Sequence, residues 1–227
     1  MIYKTISLLL IGFFFFTINS AFSYKPESKK LTETVVNKSI EAKVEAVYNN
    51  LSANNFMLPK KKSFTKAMEG YFQLKERGVV QKDILTLVDY SLSSKVNRLW
   101  VIDLKNNIIL FQSLVSHGRN SGNEFAANFS NSPESYKSSL GFYVTGETYY
   151  GKHGYSLRLD GMEKGVNSNA RARAIVVHGA DYVSEQFAKQ NGRLGRSLGC
   201  LALSQELTKE VIDTIKDKSC LFVYYPS

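Results

Sequence analysis

Between Arg173 and Leu203 the chain sets its most reactive residues in a fixed order. An apolar run, Ala174–Val177, ends in His178-Gly179, and a loop holding Gly192, Gly195 and Gly199 ends in Ser197-Leu198-Gly199-Cys200. The run reads as a strand that holds the imidazole on rigid backbone. The glycines let the backbone beside the cysteine come close to a substrate. His178 and Cys200 are 22 residues apart, so a short helix over Val183–Gln190 must return the chain to the strand end. That demand constrains the fold more than composition does.

The residue types suit thiol chemistry. A thiol with an ordinary pKa near 8.5 attacks well only as thiolate. An imidazole near 6.5 can take that proton and later deliver it to a leaving amine. Amides around Gly199 and Cys200 would form an oxyanion hole. Arg193 and Arg196 raise the local potential toward thiolate, or hold a substrate carboxylate by paired hydrogen bonds. Taken singly, a histidine ending an apolar strand reads as structural and a lone cysteine as a small buried hydrophobe. On one Gly-rich loop, the pair favours catalysis. His153, in Tyr150-Gly151-Lys152-His153-Gly154, reads as pocket-lining or structural, and His117 as structural. The three histidines lack metal-ligand spacing and no CxxC is present, so neither a metal nor another cofactor is expected.

The rest of the chain reads as mostly β (α+β) with peripheral helices. Ile40, Val44, Val47 and Leu51 recur at helical spacing, and a second helix from Ser63 shows Phe64, Ala67, Met68, Tyr71 and Phe72 before a stop at Gly78. Strands are expected over Ile84–Tyr90, Arg98–Leu104, Ile108–Val115, Leu140–Gly146, Ser156–Leu159 and Arg173–Val177. The Asn106-Asn107 turn marks a hairpin. Ser116–Ser139 is a long polar segment, of the kind that is functional or poorly ordered. Ser204 caps a helix to about Asp217, and Ser219–Tyr225 is a terminal buried strand. The organisation expected is a signal peptide over 1–23, a lead-in over 24–36, a helical segment over 37–82 and a catalytic domain over 83–227.

The leader assignment rests on Lys4, the apolar stretch Ile6–Phe16 and the small-x-small site Ala21-Phe22-Ser23. The apolar stretch is short for a span of about 20 residues, although an uncleaved anchor stays open. Export to a periplasm or envelope follows, with no membrane contact in the mature form. Two cysteines in an oxidising compartment raise a Cys200–Cys220 bridge; Cys220, inside an apolar strand, otherwise reads as core. The net charge of +9, lowered by one with loss of Lys4, favours anionic surroundings. No basic helical stripe or stacking motif points to nucleic acid. Oligomeric state is not legible.

Val177-His178-Gly179 followed by Gly195-Arg196-Ser197-Leu198-Gly199-Cys200 resembles the murein L,D-transpeptidase catalytic domain, the YkuD-like family. Its common loop reads Ser-His-Gly-Cys; here Leu198 stands in place of that histidine, as in a branch with Gly-Arg-Ser-x-Gly-Cys-Pro-Ala, and Leu201-Ala202 replaces Pro-Ala. Arg98–Leu104, Ser135–Tyr150, Gly151–Gly161 and Ala174–Tyr182 share the likeness, which spans roughly residues 85 to 225. The resemblance implies a β-sandwich or barrel and a cysteine acyl-transfer enzyme acting on peptidoglycan stem peptides. Cys200 would be nucleophile, His178 base and then acid, and Gly199 part of the oxyanion hole. Gly179 or its neighbour would orient the imidazole through a backbone carbonyl, Ser197 brace the loop and Arg196 meet a substrate carboxylate. The acceptor, an amine or water, stays open, as does a non-catalytic wall-binding module.

Overall fold

A computed structural model describes residues 39–226. The leader and lead-in readings lie outside the described residues. Helix α1 covers residues 39–49, followed by α2 (Lys61–Glu76), β1 (Ile84–Asp89), β2 (Leu99–Asp103) and β3 (Ile108–Ser113). Then come β4 (Gly141–Gly151), β5 (Gly154–Gly161), β6 (Val176–Gly179), α3 (Glu185–Asn191), β7 (Leu201–Leu203), α4 (Gln205–Ile215) and β8 (Cys220–Tyr224). The architecture is mostly β, as expected from the sequence.

The strands form one eight-stranded sheet in the order β3-β2-β1-β8-β4-β5-β6-β7. Strand β8 joins the halves, parallel to β1 and antiparallel to β4. The two edges nearly meet, since Ser116, just past β3, donates its N–H to the Ala202 carbonyl of β7 at 2.9 Å. This near-closure draws the long 116–139 segment to the edge that carries Cys200.

Both faces of the central strand β8 are covered, so its sequence is continuously apolar rather than alternating. In β8, Leu221 and Val223 enter a cluster with Val88, Val101, Val177, Leu201 and the α4 residues Val211 and Ile212. Cys220, Phe222 and Tyr224 enter a second cluster with Leu85, Trp100, Ile102 and the α2 residues Phe64, Met68 and Tyr71. The period-2 alternation of a strand sorts them. Val44 and Leu51 join the second cluster, with Ile40 and Val47 packed against it.

Helix α2 crosses the sheet closely at Gly70, where a Cβ would stand 2.0 Å from the Phe142 ring. Phe142 is stacked on Phe222 at 4.1 Å and cannot yield freely. Alanine in mid-helix gains about 1 kcal/mol of propensity, whereas overpacking costs about 1–3 kcal/mol. Gly70→Ala is therefore expected to lower the melting temperature by a few degrees. A thermal melt with an unchanged or raised midpoint would contradict this packing.

Several boundaries differ from the sequence reading. Strand β4 runs on past Gly146 to Gly151, because the glycine marks a register shift between Thr145 and Thr148 rather than an end. Strand β6 begins at Val176, later than Arg173, since Ala174 has φ +52 and the Ile175 N–H closes a turn onto Ala170. Helix α3 starts where Ser184 accepts from the Phe187 N–H and stops at Gly192, φ +69. The 116–139 segment is ordered by its own serines: Gly118 N–H donates to Ser138 Oγ, and Ser138 N–H to Ser121 Oγ.

Candidate active site

Parallel pairing of β6 and β7 sets Val177 beside Leu201 and His178 beside Ala202. One step back, Cys200 falls beside Val176. Val177, Leu201 and Leu203 point into the core. Alternation therefore turns Val176, His178 and Cys200 to the opposite face, with the histidine and the cysteine diagonal to each other on neighbouring strands. That face opens into a cavity of about 450 Å³ lined by Cys200, His178, His153, Arg173, Tyr182 and Arg196 among others. A second cavity, about 440 Å³, carries Gly179, Asp181 and Gln205, and it shares Lys152, His153 and Tyr182 with the first.

The His178 tautomer follows from its partner. Nδ1 lies 2.9 Å from the Gly179 carbonyl oxygen, which only accepts, so Nδ1 carries the proton and Nε2 keeps its lone pair. Burial lowers the His178 pKa, the Gly179 carbonyl opposes this and His153 adds to it. The resting imidazole is thus neutral and able to accept a proton. At Cys200, burial pushes the thiol up, opposed by the Val176 backbone amide and by the Arg173 charge; Sγ lies 3.5 Å from the Ala174 carbonyl. Resting Cys200 is a protonated thiol that needs a base.

The cysteine loop is held from within. Ser197 Oγ donates to the Cys200 carbonyl at 2.7 Å and accepts the Gly199 N–H at 3.0 Å. The Gly199 amide therefore faces Ser197 instead of the cavity. Gly199 has φ +125, and a Cβ there would stand 2.9 Å from the Lys137 carbonyl, so only glycine fits without strain. Ser197 also pairs with the 116–139 segment, accepting from the Arg119 N–H and donating to the His117 carbonyl.

The arginines divide differently from the sequence expectation. Arg196 lines the cavity, but its Nη1 donates to Arg119 O, Gly122 O and Asn123 Oδ1, bracing the neighbouring loop. Arg193 donates to its neighbour Leu194 O and does not line either cavity. The cation that acts on the thiol is Arg173, which sequence reasoning missed. Its acceptors are Ser130 O, Ser139 Oγ, Ser135 Oγ and Lys137 O, none a carboxylate, so its charge stays uncompensated by them. Tyr182 was also missed; burial raises its phenol to about 12, keeping it a neutral donor at the junction of the cavities. The only sequence signal for Arg173 is a cation directly before the apolar run.

His153 sits at the two-residue tip of the β4–β5 hairpin, where Gly151 pairs with Gly154, and its ring stacks on that of His178. His117 lies elsewhere, buried with Nδ1 at 2.9 Å from Arg98 Nη2. Among the described residues no cluster of three or more His, Cys, Asp or Glu could hold a metal. No helix of the described residues is long and apolar enough to cross a membrane.

Both cysteines are free thiols. Cys220 is fully buried, and burial raises it to about 12. A thiol-reactive disulfide reagent, used without reductant, is expected to modify Cys200 alone in the native protein and both residues after denaturation. Absence of any free thiol in the unreduced, denatured protein would establish the bridge instead.

A family profile described as the L,D-transpeptidase catalytic domain matches residues 57–224. No curated protein sequence matches the chain. Among solved structures, the chain is similar to the helical cell shape determining protein Pgp2 of Campylobacter jejuni at 15% identity and a TM-score of 0.44, covering 69% of this chain and 54% of that one. It is also similar to an L,D-transpeptidase from Mycobacterium smegmatis at 13% identity and a TM-score of 0.39, covering 63% and 59%. A third is an Enterococcus faecium L,D-transpeptidase at 12% identity and a TM-score of 0.36, covering 63% and 50%. The match spans less than two thirds of each of these chains.

Proposed function

The chain belongs to the L,D-transpeptidase catalytic-domain family, and from that membership we propose that it is an exported cysteine acyltransferase acting on peptidoglycan stem peptides. The observation that carries the reading is the shared face of Cys200 and a neutral, Nδ1-protonated His178, opening into one cavity. A thiol raised by burial beside an imidazole lowered by burial suits general-base activation at the moment of attack, rather than a standing ion pair.

In the first half-reaction the Cys200 proton passes to His178 Nε2 as Sγ adds to the carbonyl carbon at the L-centre of a tetrapeptide's diamino acid. The Gly199 amide is engaged by Ser197, so we assign the oxyanion contact to the Cys200 amide. Collapse breaks the C–N bond, and the imidazolium gives its proton to the departing D-alanine amine. A thioester remains. A side-chain amine of a second stem then attacks it, losing its proton to His178, and the sulfur leaves and is reprotonated. Arg173, Lys152 and Arg196 line the thiol cavity, whose lining holds no carboxylate side chain, which favours a substrate with a free carboxylate.

Mass spectrometry of muropeptides tests the reading. The protein without residues 1–23 and its Cys200→Ala variant would each be incubated with tetrapeptide-rich peptidoglycan. Dimers linked between two diamino acids, absent with the variant, are expected. Tripeptide monomers without dimers would make water the acceptor. No Cys200-dependent product would overturn the enzymatic reading and bring forward a wall-binding module.

A further inference from the structure

The β4–β5 hairpin ends in Lys152 and His153 between Gly151 and Gly154, with Gly154 at φ +74. Its tip is exposed on its outer side, and Tyr150 beside it is 80% exposed. Yet the His153 ring lies against His178 at 4.3 Å between centroids, tilted by only 26°. The rings are therefore face to face, and no hydrogen bond from His153 competes for the His178 nitrogens. His153 also lines both cavities, together with Lys152 and Tyr182.

We propose that His153 is a positioning residue: the hairpin tip lays its ring over one face of His178 and holds that imidazole in its neutral, proton-accepting form. The proposal rests on the reading of His178 as the base, although its test needs no turnover. Two effects act through the stack. The covering ring removes water from one face of His178, which penalises imidazolium. The His153 charge adds to this, since a cation stacked at 4.3 Å opposes charging of His178.

The other groups around the pair come from separate elements. Lys152 and Tyr149 belong to the hairpin, Arg173 precedes β6, and Asp181 and Tyr182 follow it. Arg196 and Cys200 come from the loop before β7. Lys152, Arg173, Arg196 and Asp181 border the same two cavities, but the ring stacked on His178 is that of His153. His153 alone combines a charge with coverage of the ring.

The chain has three histidines, so imidazole NMR of the full chain yields three titrations, assigned by single substitutions. His178 would be followed through a pH series in the parent protein, in His153→Phe and in His153→Ala. Phenylalanine keeps the ring and removes the charge; alanine removes both. The His178 midpoint is expected to rise by about half a unit in His153→Phe and by about one unit in His153→Ala. The buried His117, held near 4 by burial and by Arg98, serves as the folding control and should not move. A His178 midpoint unchanged in both variants, with His117 still depressed, would overturn the proposal. Equal shifts in the two variants would assign the effect to charge alone and overturn the covering role. Absence of turnover on peptidoglycan would leave these titrations intact, so the two readings fail separately.

Discussion

Cys200→Ala is expected to abolish acyl transfer, lowering the rate of thioester-dependent product formation by at least ~10⁴-fold while leaving the melting temperature within about two degrees. Cys200 is half-buried, and its sulfur meets only backbone, the Ala174 carbonyl and the Val176 amide, so Cys200→Ala breaks no side-chain network. No other nucleophile lines the cavity in a comparable place: Ser197 Oγ is engaged with the Cys200 carbonyl and the Gly199 amide. His178→Ala should cost less, roughly 10²–10⁴-fold, because the thiol survives without its base. The proposed mechanism also fixes the sign of the parent protein's pH profile. As the proposed base His178 must be neutral, and burial lowers its pKa, so the acid limb should fall below the ordinary imidazole value near 6.5. Steady-state rates across pH 4–8 check this. An acid limb above 6.5, or Cys200→Ala retaining more than a few per cent of activity, would remove the mechanism.

The second large effect is expected far from the thiol. Arg98→Ala should destabilise the fold by about 3–5 kcal/mol, enough to lower the melting temperature by roughly ten degrees. Arg98 is fully buried and donates to Val115 O from Nε and Nη2, to Leu92 O from Nη1, and to His117 Nδ1. Its guanidinium also lies 4.8 Å from the Tyr90 ring. Asp89 is buried, and its Oδ2 has no hydrogen-bond partner among the described residues, so losing Arg98 removes the neighbouring positive charge as well.

The same network couples stability to pH. Arg98 only donates, so His117 Nδ1 must accept and Nε2 carries the proton toward Gly122 O at 3.3 Å. Burial, then the Arg98 charge, lowers His117 to about 4. Between about 4 and 6.5 the unfolded chain binds a proton that the folded chain refuses, so stability falls as pH drops through that window. In Arg98→Ala that slope should shrink, because the Arg98 charge, the second-largest of its causes after burial, is gone. Denaturant melts at pH 7 and pH 5 measure both effects. A loss under about 1 kcal/mol at pH 7 would show that the network is dispensable. Because the His117 carbonyl accepts from the Ser197 N–H, the variant should also slow labelling or acylation of Cys200.

What could be read without coordinates was whatever depends on near neighbours along the chain. The helical spacing of Phe64, Ala67, Met68 and Tyr71 marked the buried face of α2. Asn107, with φ +51, closed its hairpin as the Asn-Asn turn implied. The order of His178, the glycines and Cys200 pointed to the family and to a single reactive loop. Gly146 misled, since a glycine inside a strand signals either an end or a bulge and the choice depends on the partner strand.

Pairing between distant segments had no such signal. Strand β6 beside β7 turns Cys200 and His178 to one face, and a shift of one residue would turn Cys200 toward the core. The near-closure at Ser116 and Ala202 brings the serine-rich segment under the cysteine loop, and the hairpin register lays His153 on His178. Arg173 gained its place beside the thiol in the same way, while Arg193 and Arg196 were drawn to other partners. Residue type and local spacing thus specified which groups could do chemistry and which helices and turns would form. Register, set by core packing summed over strands far apart in sequence, settled which of those groups meet.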